Sequence, residues 1–209
     1  MCKKIKTLTV ILSVVPLVFL CVGCLINDLN IDHYKTYYDS GLKHLNAEDY
    51  GSAKILFARA YNYAQAGFLG SEAEAAALYN YALAVGHLGD FQQAEDCLKR
   101  TIALDEKAEG KDATHASMRL FELARLYQAW GQNSQAIETY EKAFSLAGKQ
   151  NVIKTDPIGY AVVLNDYAIV LKKAGFAKKT ELVESEAQKI RDANPSVEPK
   201  VKIRYYPTK

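Results

Sequence analysis

Residues 78–98 read LYNYALAVGHLGDFQQAEDCL, and their spacing decides the fold. Leu78 and Val85 are seven apart, so they share one face of a helix, and the small residue Ala82 lies between them. Gly89 then stops that helix, because glycine tolerates the left-handed conformation that follows a helix end. A second helix begins at once, with Ala94 as a small contact residue and Leu98 one turn further on. The stretch therefore predicts two helices packed closely through paired small residues.

The same pattern recurs along the chain. Taking Ala53, Ala94, Ala136 and Thr180 as anchors gives periods of 41, 42 and 44 residues. Twelve residues before each anchor stand Gly41, Ala82, Ala124 and Ala168; sixteen before stand Tyr37, Leu78, Leu120 and Leu164. Nine before stand His44, Val85, Tyr127 and Leu171, and five before stand Glu48, Gly89, Gly131 and Gly175. Four after come Phe57, Leu98, Tyr140 and a departure, Glu184, and seven after come Ala60, Thr101, Ala143 and Ala187. The terminal copies diverge, as units with one solvent-facing side do. The spacing predicts helices near 30–47, 50–67, 71–88, 91–107, 113–130, 133–149, 157–174 and 177–193. Asp156-Pro157 is an N-cap with proline at the first helical position, and Asn194-Pro195 ends the last helix.

These residues resemble the tetratricopeptide repeat over about residues 34–194, most clearly in Leu78–Ala94 and Leu120–Ala136. The period exceeds the usual 34 and is similar to the long, 42-residue variety of kinesin light chains. The resemblance implies an all-α, right-handed superhelical array of about four helix pairs, an α-solenoid. It also implies that the first helix of each pair lines a concave groove that binds a peptide or partner helix. Carried over, the candidates fifteen before each anchor are Tyr38, Tyr79, Phe121 and Asn165. Eleven before are Leu42, Leu83, Arg125 and Ile169; the next turn adds His87, Gln128, Lys172 and Lys173. Asn80 and Asn165 match places where such repeats use Asn to hold a peptide backbone. The chaperone-type carboxylate clamp is not implied, since Tyr38 and Leu42 stand where it needs Lys and Asn. Two readings of the rings stay open: a groove ladder, or packing between repeats. Under the first, replacing Tyr79 and Phe121 together by Ala abolishes partner capture without loss of fold.

The N-terminus reads as an address. Lys3, Lys4 and Lys6 precede an uncharged run of 13 residues, Leu8–Leu20, and then Leu20-Cys21-Val22-Gly23-Cys24. That ending resembles the lipobox of bacterial lipoproteins, which implies cleavage after residue 23 and lipid on Cys24. Cys21 departs from the pattern. The alternative is an uncleaved span, since Leu8–Ile26 carries no charge and about 20 residues cross a bilayer. By resemblance, Leu25 after the cysteine favours the outer membrane, periplasmic face, over the inner membrane. The expected division is a signal at 1–23, a lipidated linker at 24–33, the repeats at 34–194 and a basic, irregular, exposed tail at 195–209.

The chain of 209 residues is 49% hydrophobic and 24% charged, with net charge +2. This excludes a disordered or disulfide-dense protein. Removing residues 1–23 takes away three of 26 basic residues and no acid, leaving 23 against 24 acidic, so no nucleic-acid footprint is expected. Cys97 would then be the one thiol left besides Cys24, a packing residue without a disulfide partner. His33, His44, His87 and His115 show no metal-ligand spacing. No nucleophile elbow, phosphate loop or dinucleotide fingerprint occurs, so neither catalysis nor a cofactor is expected. Two function classes follow: a membrane-tethered interaction scaffold with a protein or peptide partner, or a structural subunit of a fixed envelope machine such as a pilus, secretion or cell-wall complex. Co-purification of stoichiometric envelope subunits from detergent would favour the second.

Overall fold

The computed structural model describes residues 28–109, 115–198, 200 and 204–208. Within them every regular element is helical: α1 (28–46), α2 (Tyr50–Ala66), α3 (Ser71–His87), α4 (Phe91–Glu109), α5 (Ala116–Trp130), α6 (Asn133–Lys149), α7 (Val152–Thr155), α8 (Pro157–Lys173) and α9 (Ala177–Ala193). Eight of these are the helices expected from the spacing, with ends shifted by three residues at most. The single turn α7 falls in the stretch expected to be a loop. The expected signal at 1–23 and Cys24 lie outside the described residues.

The repeat spacing corresponds to a repeated contact. Ala53, Ala94 and Ala136 are fully buried, as are Ala60, Thr101, Ala143 and Ala187 one turn or two further on. Gly41 shows why the slot facing them is small: a Cβ there would stand 2.7 Å from Phe57 Cε1, far inside contact distance. Phe57, Leu98 and Tyr140 close over that slot in the first three pairs. In the fourth, Glu184 is exposed and Val183 is buried instead, one position earlier. The buried hydroxyls of Thr101 and Thr180 donate to the carbonyls of Cys97 and Phe176, four residues back, so neither is left unsatisfied.

The turn within each pair has one geometry. Glu48, Gly89, Gly131 and Gly175 all take positive φ, at 61°, 85°, 81° and 85°. Glycine adopts this conformation without penalty, whereas Glu48 carries a Cβ cost of about 1–2 kcal/mol. Asp49 and Asp90 then cap the second helices by accepting from Ser52 N and Gln93 N at 3.1 Å. Asp156 caps α8 by accepting from Gly159 N at 3.0 Å, with Pro157 in the first turn. The principal contacts run between consecutive helices, and α6 meets α8 beyond the short α7. A stack of hairpins in which each touches its neighbours is the arrangement of an α-solenoid. One continuous core runs from Leu45 to Ala187 and takes in Tyr206.

Candidate functional site

Four first helices converge on one concavity. α1 contributes Tyr38, Leu42, Leu45 and Asn46; α3 contributes Tyr79, Asn80 and Leu83; α5 contributes Met118, Arg119, Phe121, Glu122 and Arg125. α8 closes the far wall with Tyr160 and Val163. The space between them is about 510 Å³, within the range of ordinary ligand sites. Of the residues singled out from the sequence, Tyr38, Leu42, Tyr79, Asn80, Leu83, Phe121 and Arg125 stand on this wall. His87 lies beside it, stacked on Tyr50 with ring centroids 4.2 Å apart.

The remaining candidates stand elsewhere. Gln128 accepts from the Tyr140 hydroxyl at 3.0 Å, within its own helix pair. Asn165 meets Arg191 of α9. Lys172 and Lys173 are exposed in the last turn of α8, where cations suit the helix dipole. The rings are also committed to packing. Phe121 is buried, edge-on to Phe144 at 5.0 Å; Tyr38 is edge-on to Phe57 at 5.7 Å; and Tyr79 lies 3.7 Å under the Arg119 guanidinium. Asn80 donates from Nδ2 to both the Tyr38 hydroxyl and the Ala76 carbonyl at 3.0 Å. Both its amide hydrogens are thereby used, so only Oδ1 remains to meet a peptide.

Of the charges buried in the wall, Arg125 was singled out from the sequence, but Glu122, Asp166 and Arg119 were not. Arg125 donates from Nε to Asp166 at 2.8 Å and lies 3.4 Å from Glu122; all three side chains are buried. Burial opposes the Arg125 charge, but Glu122 and Asp166 outweigh it and hold the guanidinium well above its usual value. Burial raises the Asp166 carboxyl, with Arg125 opposing. Arg119 pairs with Asp105 at 3.3 Å. The available signal was the column fourteen before each anchor, Asp39, Asn80, Glu122 and Asp166, which is polar in every copy and adjoins the ring column.

The C-terminal segment lies against the same surface. Arg204 donates to Asn46 at 2.5 Å, and Arg204 also borders the cavity. The Tyr205 hydroxyl donates to Asp166 at 3.1 Å. Tyr206 is only 5% exposed, its ring 4.8 Å from that of His87. The expectation of an exposed tail is thus corrected at this residue. Residues 204–208 form no regular element, and the concave face supplies an apolar seat that offsets the cost of ordering them. Burial, with Glu122 adding, pushes the Tyr206 hydroxyl well above its usual value. His87 is held down to about 4, first by burial and then by Arg204, with Glu48 opposing.

Among the described residues no helix is long and apolar enough to cross a membrane, and no three His, Cys, Asp or Glu side chains gather to hold a metal. Cys97 is buried and unpaired with another cysteine.

Comparison with known proteins places this geometry. The tetratricopeptide-repeat family matches residues 72–149, the α3–α6 pairs. Curated proteins return no match. BtubC (BKLC) from P. vanneervenii superposes with a TM-score of 0.72 at 18% identity, over 82% of this chain and 68% of that one. MamA gives 0.59 at 18% identity, covering 78% of this chain and 81% of that one. The tetratricopeptide-like repeats of a kinesin light chain from Podosopora anserina give 0.61 at 18% identity, over 78% of this chain and 77% of theirs. Residues 72–149 match the tetratricopeptide-repeat family, and the chain that carries them has the fold of a tetratricopeptide-type solenoid.

Proposed function

We propose that this chain is a membrane-tethered lipoprotein of the bacterial cell envelope that acts as a protein–protein interaction scaffold. Its concave face takes an extended segment or a partner helix. Tetratricopeptide repeats are in general non-catalytic, protein-binding scaffolds. The observation that carries the groove reading is the cavity itself: apolar side chains from α1, α3 and α5 surround a fixed set of buried charges. Such a surface offers hydrophobic anchoring together with oriented polar groups, the combination by which a groove holds a peptide. Support for the tether comes from the Gly23-Cys24 pair after the apolar run, and Leu25 favours the outer membrane.

Two experiments test the proposal. Leu42→Asp with Met118→Asp places charge on the wall at partly exposed positions. Cross-linking in intact cells followed by mass spectrometry should show partners lost from this variant while its melting curve is kept. Retention of every partner would refute the groove reading. Cys24→Ser should accumulate as an unprocessed precursor in the inner membrane, and normal processing would refute the lipid anchor.

A further inference from the structure

Residues 204–206 are a piece of polypeptide seated on the concave face, held by side chains alone in the contacts described above. Arg204 reaches α1, Tyr205 reaches α8 and Tyr206 reaches α3, so the segment spans first helices of three pairs. The seat of Tyr206 is shaped for a ring. At Gly86 a Cβ would stand 2.6 Å from Tyr206 Cε1 and 3.1 Å from Leu126 Cδ1, so the missing side chain is the space that the ring fills. His87 forms a second wall, and the ring is held by shape, since its buried hydroxyl has no hydrogen-bond partner among the described residues. Asn46 accepts from Arg204 and Asp166 accepts from the Tyr205 hydroxyl, so the face supplies polar acceptors to the two residues before the ring.

We propose that Gly86, His87 and Leu126 form a tyrosine socket on the concave face, filled in cis by the chain's own Tyr206. A partner segment of the same chemistry, a tyrosine with a basic residue two positions before it, must displace the tail to bind. This rests on the groove reading above. Arg204 borders the open cavity, so a partner can first occupy that space and then replace the tail. The cost of displacement follows from the short connection between Asn194 at the end of α9 and Arg204. A short tether holds its segment at an effective concentration on the order of 1 mM. If the free segment binds at about 0.1 mM, the tail stays docked about ten to one, and a competitor is weakened about elevenfold.

The test uses a fluorescein-labelled peptide of residues 200–209 and the chain purified in detergent. Three forms are compared: the full chain, a chain ending at Glu198, and full-length Tyr206→Ala. Fluorescence anisotropy should show the peptide binding the shortened and Tyr206→Ala chains about tenfold more tightly than the full chain. A peptide carrying Tyr206→Ala should bind none of them. Equal affinity for all three forms would remove the tail's competition while leaving the groove a binding site. No binding to either altered chain would remove the tyrosine socket, and the Leu42→Asp, Met118→Asp cross-linking result would still judge the groove separately. Unfolding of both altered chains would make the tail a structural strap and overturn the proposal. A concentration-dependent dimer of the full chain, lost in Tyr206→Ala, would assign the socket to a second copy's tail and overturn occupancy in cis.

Discussion

Gly86→Ala separates the tail from the solenoid in a single methyl group. Gly86 is a helical residue near the end of α3, where alanine is favoured by roughly 0.5–1 kcal/mol. The added Cβ, however, would meet Tyr206 Cε1 at 2.6 Å, where carbon atoms rest at about 3.5–4.0 Å. The ring must move by about 1 Å, and His87 bounds its seat. A tyrosine buries roughly 150–250 Å², an upper bound of about 4–6 kcal/mol at 25 cal/mol per Å². Ordering residues 204–206 costs about 1–2 kcal/mol for each backbone. Fixing their side chains costs roughly 1–2 kcal/mol more, so the docked tail contributes a net of about 1–2 kcal/mol at most, and the methyl group forfeits it. In the full chain the two effects oppose, and the net should lie between about zero and a loss of about 1.5 kcal/mol. With Tyr206→Ala already present, the seat is vacant and Gly86→Ala should stabilise by roughly 0.5–1 kcal/mol. Urea denaturation followed by circular dichroism on all four chains gives the coupling, expected at about 1–2 kcal/mol. A cycle that closes within about 0.5 kcal/mol would show that the ring does not rest on Gly86. Equal destabilisation in both backgrounds would trace the clash to Leu126 instead.

Ala94→Leu should overpack a fully buried helix contact and cost about 1–3 kcal/mol, read as a lowered melting temperature; an unchanged melt would place the contact elsewhere. Arg125→Leu leaves Glu122 and Asp166 buried without their cation and should cost about 3–5 kcal/mol in denaturant. Adding Asp166→Leu should recover part of that loss, and no recovery would refute the pairing. Histidine 87 is neutral in the folded chain to about pH 4, while the unfolded chain binds its proton near 6.5. Its contribution is thus intact above 6.5 and is lost as pH falls from there towards 4. The groups facing it are Tyr50, Tyr206, Arg204 and Glu48, so Tyr206→Ala should move the NMR titration of His87 up towards the ordinary value. An unmoved titration would show that Tyr50 and α3 alone bury the ring.

The helix pairs were legible in the sequence because their determinants are local and repeated. Whether Ala94 meets Ala82 depends on residues a turn away on each helix, and the same constraint is written again at Ala124 and Ala136. The turn conformation was legible for the same reason, since a position filled by Gly89, Gly131 and Gly175 reports the backbone geometry that Glu48 shares under strain. The placement of Leu42, Tyr79 and Leu83 on the concave wall followed from repeat register, but their commitments did not. Asn80 spends its amide on Tyr38 of the preceding pair, and Tyr79 is covered by Arg119, whose column in the repeat carries no periodic signal. Arg125 and Asp166 are 41 residues apart, so opposite charges at similar slots of successive copies meet only once the copies stack. The tail was beyond local reading altogether. Arg204 and Asn46 are 158 residues apart, and what seats Tyr206 is an absence, the missing side chain at Gly86, opening onto a surface built by three helix pairs. Sequence spacing fixes contacts between residues a few turns apart, but docking a segment depends on the shape of the assembled face, which exists only after the pairs have packed.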